Sequence, residues 1–273
     1  MEAGRVAVVT GAGRGIGKAV AWRLAQDGCR LSLWARTSSE VDQVAREISE
    51  GGGEAIAVVT DVARWESVRQ ATDDTIERLG RIDILVNNAG IGGERKPVAE
   101  ADPAAWAQTI NVDLTGQFYC MRAVLPGMIR QGSGKIVNMT GGGAGEPYPG
   151  NSAYAAAKTA LVRLSETVAQ EVREHHIQVN AMTPGLVVTR LTEDALHQYE
   201  ANDPERAAQF RQSLETRSFD PEAGAELAAY LCSPAADGLT GRWLTVHDQW
   251  RELVKDPAKL MEEDLYVLRR DPR

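Results

Sequence analysis

Tyr154 and Lys158 stand four residues apart, a spacing that puts both side chains on one face of a helix. A free phenol titrates at about 10 and is a poor proton acceptor at neutral pH. A neighbouring ammonium favours the phenolate, so Lys158 is expected to draw the Tyr154 pKa toward the working range, where the phenol exchanges a proton with a substrate oxygen. Taken alone, such a pair is ordinarily a packed phenol beside a snorkelling lysine. A second group of residues changes that reading. Thr10-Gly11-Ala12-Gly13-Arg14-Gly15-Ile16-Gly17 follows a short apolar run and opens a helical stretch toward Asp27-Gly28. Glycines let the backbone approach a pyrophosphate, and a helix N-terminus offers it free N–H groups and positive dipole. A lone glycine cluster also fits a plain turn; the strand before it and the helix after it favour a dinucleotide.

The elements that must carry these residues follow a regular rhythm. Short runs rich in Val, Ile and Leu alternate with longer amphipathic stretches, the pattern of βαβ units and a parallel sheet covered on both faces. Strands are expected near Val6 to Val9, Leu31 to Ala35, Ala55 to Thr60, Ile82 to Val86, Lys135 to Met139, Gln178 to Met182 and Trp243 to Val246, with helices between them. Gly51-Gly52-Gly53 reads as a connector between a helix and a strand. No repeat or Pro/Ser-rich linker divides the chain, so a single domain is expected over residues 1–248.

The spacing TGxxxGxG resembles the classical short-chain dehydrogenase/reductase family, and the resemblance continues in order along the chain. Asp61-Val62 follows the third strand, Asn87-Asn88-Ala89-Gly90 the fourth, Asn111 stands in Asn111-Val112-Asp113, Tyr154 and Lys158 open a helix, and Pro184-Gly185-x-x-x-Thr189 follows the sixth strand. The resemblance implies a Rossmann fold, a doubly wound parallel α/β sheet of seven strands, and interconversion of a secondary alcohol and a ketone by hydride transfer. It implies Tyr154 as acid/base, Lys158 bonding the nicotinamide ribose, and Asn111 holding a water on the proton path. Asp61 is expected at the adenine, Asn88 beside the cofactor, and Val187 and Thr189 at the nicotinamide amide, with Gly11, Ile16, Gly17, Val62, Ala89, Gly90, Pro184 and Gly185 completing the cofactor site. A carboxylate closing the second strand would bind the ribose hydroxyls of NAD, but this chain has Ala35 followed by Arg36. Arg36 and Arg14 are expected to converge on a 2′-phosphate, which favours NADP(H) over NAD(H). Either arginine alone also fits a solvated surface residue.

The pattern breaks at the family's serine, whose place thirteen residues before Tyr154 falls on Gly141, followed by Gly142 and Gly143. That serine normally donates a hydrogen bond to the reacting oxygen, a role worth about 3 kcal/mol in related sites. Thr140 offers a hydroxyl, but strand alternation turns it away from the direction of residue 141, which suits packing within the sheet. Ser152 fits the N-cap of the helix that carries Tyr154. Glu146 and Asn151 lie on the intervening loop and are candidate substrate contacts, and the glycines are an alternative source of space for a bulky or polar substrate. The break keeps two other readings open: a cofactor-binding regulatory protein with weakened turnover, and a dehydratase or isomerase on the same chassis.

The remaining features bound the setting. Lys plus Arg number 30 against 38 Asp plus Glu, a net charge of −8 without charge blocks, so nucleic acid is not an expected partner. Cys29, Cys120 and Cys232 match no metal spacing and read as reduced structural thiols. No apolar run is long enough for a membrane helix, and the strand-like run from Arg5 leaves no room for a leader; a cytoplasmic protein is expected. His175-His176 reads as a helix C-terminal cap. Residues 190–220 are polar and weakly helical, the mark of a lid or mobile loop. In the tail extension, residues 249–273, Asp256-Pro257 reads as a helix start, and Leu260, Met261, Leu265 and Leu268 form a stripe that needs cover. Trp250 and Tyr266 are candidates for a subunit contact, since the resemblance implies a homodimer or homotetramer.

Overall fold

Alternate residues of the first strand, β1 (Val6–Thr10), serve two different cores. Ala7 and Val9 join one hydrophobic cluster and Val8 joins another, as the two-residue period of a strand requires when both faces are covered. The same alternation runs through β4 (Ile84–Asn87), where Ile84 and Val86 face opposite to Leu85, and β5 (Gly134–Met139), where Val137 and Met139 face opposite to Ile136. The computed structural model describes residues 4–248, 250–253, 255, 260–261 and 266–268.

With β2 (Arg30–Ala35), β3 (Glu54–Val59), β6 (Ile177–Thr183) and β7 (Trp243–Thr245), these strands form one seven-stranded sheet in the order β3-β2-β1-β4-β5-β6-β7. Every neighbouring pair is parallel, with Val6 opposite Arg30 and Ala7 opposite Ile84 at the centre. Helices α1 (Gly15–Gln26) and α2 (Ser38–Glu50) cover one face. Helices α3 (Trp65–Leu79), α5 (Gly116–Gln131) and α6 (Ser152–Glu171) cover the other, and the short α4 (Pro103–Ile110) leads into α5. The strand order reverses between β1 and β4. A ligand crevice is expected there, outside the carboxyl ends of the strands.

Seven strands and a doubly wound parallel sheet are as the sequence predicts. Gly52 adopts φ 88 in the connector after α2. The His175-His176 reading needs correction: α6 ends at Glu171, Arg173–His175 form a 3₁₀ turn, and His176 takes a left-handed φ of 55, so the pair belongs to the turn into β6. Residues 190–220 are more regularly helical than their sequence suggests. They form two α-helices, α7 (Arg190–Asn202) and α8 (Pro204–Arg217), and Val187 makes an isolated parallel bridge to Phe219 at their base. A further helix, α9 (Pro221–Cys232), returns to pack on α1.

Within the tail, Trp250 and Leu260 are buried in the core cluster beside α1 and α9, with Met261 and Tyr266 packed against it. Arg242 Nε donates to the Leu260 carbonyl at 3.1 Å, and the Trp243 amide donates to the Tyr266 carbonyl at 2.8 Å. The apolar stripe is therefore covered by the chain's own domain at Leu260, Met261 and Leu268. Asp256, Pro257 and Leu265 lie outside the described residues. All three cysteines are buried, and burial pushes the thiol of Cys29 up to about 11 and those of Cys120 and Cys232 up to about 12. No helix among the described residues is long and apolar enough to cross a membrane.

Candidate active site

The loops after β1, β4, β5 and β6 meet at the carboxyl edge of the sheet. In the loop after β1, Gly11 and Gly15 take left-handed φ values of 64 and 54, which a side chain would resist. A Cβ on Gly17 would lie 2.3 Å from the Gly11 carbonyl oxygen and 2.5 Å from Asn88 Nδ2. Asn88 clamps this turn from β4: its Nδ2 donates to the Thr10 carbonyl at 2.9 Å, and the amides of Asn88 and Ala89 donate to Thr10 Oγ1. Thr189, at the start of α7, packs its methyl 3.2 Å from where a Gly15 Cβ would stand. The first turn of α1 carries no side-chain cap, which leaves its N–H groups to a ligand beside Gly11, Gly13 and Gly15. Such a cradle fits the pyrophosphate of a dinucleotide.

Around this cradle, Asp61 Oδ1 accepts from the Ala63 amide and Val62 packs into the core beside Gly116. Ile16 packs on the α1 side of the sheet. Gly185, at φ 80, leaves room for Phe219 and Val246, while Pro184 lies against Gly224, and Val187 is buried. Arg36 is exposed and makes no bond to a described residue. Arg14 Nη1 pairs with Glu40 Oε1 at 2.9 Å.

Tyr154 and Lys158 do share one face of α6, with the Lys158 ammonium 5.4 Å from the centre of the phenol ring. The phenol occupies the space that a side chain at position 141 would fill: a Cβ on Gly141 would lie 2.2 Å from Tyr154 Oη. Lys158 is buried, donates to the Met139 carbonyl at 3.2 Å and pairs with Asp113 Oδ2 at 3.3 Å. Asp113 is completely buried, and its other oxygen accepts from the Ile91 amide at 2.8 Å. Gly90 makes room for this pair, since its Cβ would meet Asp113 Oδ2 at 3.2 Å and Lys158 Nζ at 3.4 Å.

The protein groups around Tyr154 act against the expected lowering, which also draws on the oxidised nicotinamide ring. Burial of the Tyr154 hydroxyl raises its pKa above the ordinary phenol value, the Asp113 carboxylate and Tyr148 raise it further, and Arg95 opposes them. The lysine does not act as an uncompensated charge here, because Asp113 faces it. Burial likewise raises the Asp113 carboxyl, with Lys158 and the Ile91 amide opposing.

Other expected residues fall in different places. Asn111 begins a π-helical turn, Asn111–Thr115, where its carbonyl accepts from the Gly116 amide and its Nδ2 donates to the Ala63 carbonyl at 3.4 Å. π-turns of this kind often mark functional positions, but Asn111 makes no bond to Tyr154 or Lys158. Thr140 is sheet structure, as alternation predicts: its hydroxyl bonds Thr183 Oγ1 at 2.7 Å and accepts from Trp243 Nε1 at 3.1 Å. Ser152 is a correction. Asn151 takes the N-cap position, whereas Ser152 is the first helical residue and accepts from Trp106 Nε1 at 3.1 Å. Glu146 lies exposed on the loop, and Asn151 is buried with both amide atoms unpartnered. Asp113, Arg95 and Tyr148 escaped the reading of the sequence. Asp113 stood in the Asn111 motif, but only the fold brings it to Lys158.

Comparison with known proteins identifies the family. A family model described as short chain dehydrogenase matches residues 5–200. The chain is 37% identical over 245 residues to the short chain dehydrogenase/reductase astE of Aspergillus oryzae, covering 89% of this chain and 93% of that protein. It superimposes on the crystal structure of NAD+-bound xylitol dehydrogenase with a TM-score of 0.83 and 31% identity, covering 89% of this chain and 97% of that one. A variant of actinorhodin polyketide ketoreductase crystallised with NADPH gives a TM-score of 0.82 and 31% identity over 89% of this chain and 95% of that one. A glycine cradle at the switch point, a phenol and lysine on one helix face, and these matches place the chain in the short-chain dehydrogenase/reductase family of NAD(P)-dependent oxidoreductases.

Proposed function

We propose that this protein interconverts a secondary alcohol and a ketone with NADP(H), using Tyr154 as general acid/base. The observation that carries the reading is the Tyr154 hydroxyl seated over Gly141 beside the Lys158–Asp113 pair, on the same sheet edge as the glycine cradle. When bound, the nicotinamide supplies or takes up the hydride. Tyr154 gives its proton to the ketone oxygen in reduction and removes it from the alcohol in oxidation. Lys158 positions the site, Asn111 relays the proton through a held water, and Gly11, Arg14, Ile16, Gly17, Asp61, Val62, Asn88, Ala89, Gly90, Pro184, Gly185, Val187 and Thr189 surround the cofactor. Helices α7 and α8 cover the substrate side, and exposed Phe118 and Ile129 on α5 support a homo-oligomer.

NADP(H) is supported by the absence of a carboxylate at Ala35 and by exposed Arg36 next to it. The Arg14–Glu40 pair does not oppose this reading. It is solvent-exposed and therefore worth at most about 1 kcal/mol, less than a charge-assisted bond from Arg14 to a 2′-phosphate.

Two measurements test the proposal. Tyr154→Phe is expected to reduce NADPH oxidation across a ketone panel by about 10²–10⁴-fold; retention of full turnover refutes the acid/base assignment. Nucleotide fluorescence titration is expected to show NADPH binding tighter than NADH, with Arg36→Ala weakening NADPH about tenfold, the equivalent of one charge-assisted hydrogen bond. Tighter NADH binding overturns the cofactor choice.

A further inference from the structure

Arg95 follows β4 in the chain and is only 7% exposed, yet no carboxylate pairs with it among the described residues. Its neighbour Glu94 pairs with Lys96 instead. A buried guanidinium ordinarily has an anionic partner, because removing one member of a buried pair leaves a charge that the protein interior solvates poorly. Among the described residues its only side-chain partners are phenols. Nη1 donates to Tyr199 Oη at 2.7 Å and to Tyr148 Oη at 3.3 Å, and the guanidinium lies 4.9 Å from the Tyr199 ring centre and 5.5 Å from that of Tyr148. Its amide is anchored by Gln198 Oε1 at 2.9 Å. Nε is buried without a partner, and Nη2 makes no hydrogen bond to a described residue. Nε lies on the edge through which an arginine can receive a carboxylate by two parallel bonds.

This guanidinium stands beside the seat of the Tyr154 hydroxyl: it bonds Tyr148, whose side chain lies against Gly142 and Gly143, next to the glycine on which that hydroxyl rests. Tyr199 belongs to α7, and Arg206 of α8 stacks on its ring at 4.9 Å. Two cations and two phenols therefore gather where the loops after β4 and β5 meet α7 and α8. Asn151, buried and unpartnered in the same loop as Tyr148, adds unused hydrogen-bonding capacity. Two cations, two phenols and an unpartnered Nε suit the group to hold an anion, and the planar guanidinium matches a carboxylate.

Resting on the oxidoreductase reading, we propose that Arg95 binds the carboxylate of the substrate, so that the compound turned over is an oxo-acid and its hydroxy-acid product. The carboxylate is not consumed. In the reductive direction the carbonyl carbon gains a hydride from the reduced nicotinamide, the carbonyl oxygen gains the Tyr154 proton, and the cofactor leaves oxidised. Arg95 sets which molecules present their carbonyl to Tyr154.

The test compares straight-chain oxo-acids of three to six carbons with their methyl esters, using the full chain and NADPH. For the best acid, kcat/KM is expected to exceed that of its ester at least 30-fold. Arg95→Gln is expected to lower this acid-to-ester ratio at least tenfold, mainly through KM for the acid, and Arg95→Lys to lower it less. An ester turned over as well as its acid, or a ratio unchanged in Arg95→Gln, overturns the proposal and leaves the oxidoreductase reading standing. Preference for a phosphorylated ketone over every acid also overturns it. If no ketone is reduced, the oxidoreductase reading fails, and thermal shift then decides on Arg95 separately: the acids, but not the esters, must raise Tm of the wild type and not of Arg95→Gln. Should Arg95→Gln fail to fold, the wild-type ratio and Arg95→Lys still decide.

Discussion

A methyl group added at position 141 would stand 2.2 Å from the Tyr154 oxygen, well inside van der Waals contact, so the absent side chain and the position of the phenol are one feature. Gly141→Ser would not simply restore a hydrogen-bond donor; it would first drive the phenol off its seat. Overpacking of this kind costs about 1–3 kcal/mol, and its effect falls on the acid/base itself. Gly141→Ser is therefore expected to lower kcat about tenfold or more, read from initial rates of NADPH oxidation; a large rise without loss of substrate binding would show the glycine to be a defect. The raised Tyr154 pKa has its own consequence. Burial keeps the phenol protonated at neutral pH, the form that reduction consumes and oxidation cannot use. Reduction should stay level from pH 6 to 8 and fall only as the phenol ionises, whereas oxidation should climb with pH across the same range. Parallel rate profiles in the two directions check this, and an oxidation rate independent of pH would remove Tyr154 from the proton path.

Helix α1 depends on the turn that feeds it. With the Gly17 Cβ position 2.3 Å from the Gly11 carbonyl and 2.5 Å from Asn88 Nδ2, Gly17→Ala must push apart the β1 and β4 loops at once. Cofactor affinity should fall at least tenfold by fluorescence titration, while far-UV circular dichroism stays that of the folded chain; unchanged affinity would mean that the cradle is not the binding site. This part of the molecule was legible because its signal is local: apolar runs bounded by glycine, with motifs at strand ends. Strand β1 begins at Val6 as expected, and β4 starts only two residues after Ile82. Helices α7 and α8 were less legible because their polar surfaces dilute the apolar period. One signal was present at their junction, where Asp203 caps α8 through its bond to the Arg206 amide and Pro204 occupies the first turn. The Lys158–Asp113 pair and the Arg95 cluster lay beyond local reading. Asp113 and Lys158 are 45 residues apart, and Arg95 and Tyr199 are 104, so only the docking of separate elements brings them together.

The long-range organisation of the molecule is most visible in how its end is held. Trp250 reads from sequence as a subunit contact, yet it is buried against its own chain, with its ring 5.6 Å from that of Tyr230 on α9 and Arg251 stacked on it at 4.6 Å. Leu260 is buried in the same cluster, and Arg242, next to β7, holds the carbonyls of Leu260 and Met261 at 3.1 and 3.2 Å. These contacts tie the tail to α9, which packs on α1, the helix that opens at the glycine cradle. Tail packing and the cofactor side of the sheet therefore share one core. Truncating a buried tryptophan typically costs 3–5 kcal/mol through lost contacts and a residual cavity. Trp250→Ala is expected to destabilise the chain by about 3 kcal/mol, which lowers Tm by roughly 6 °C or more. The loss should be the same at two protein concentrations tenfold apart, because the contact is made within one chain. A loss that grows on dilution would instead place Trp250 between subunits and remove the tail from the domain core.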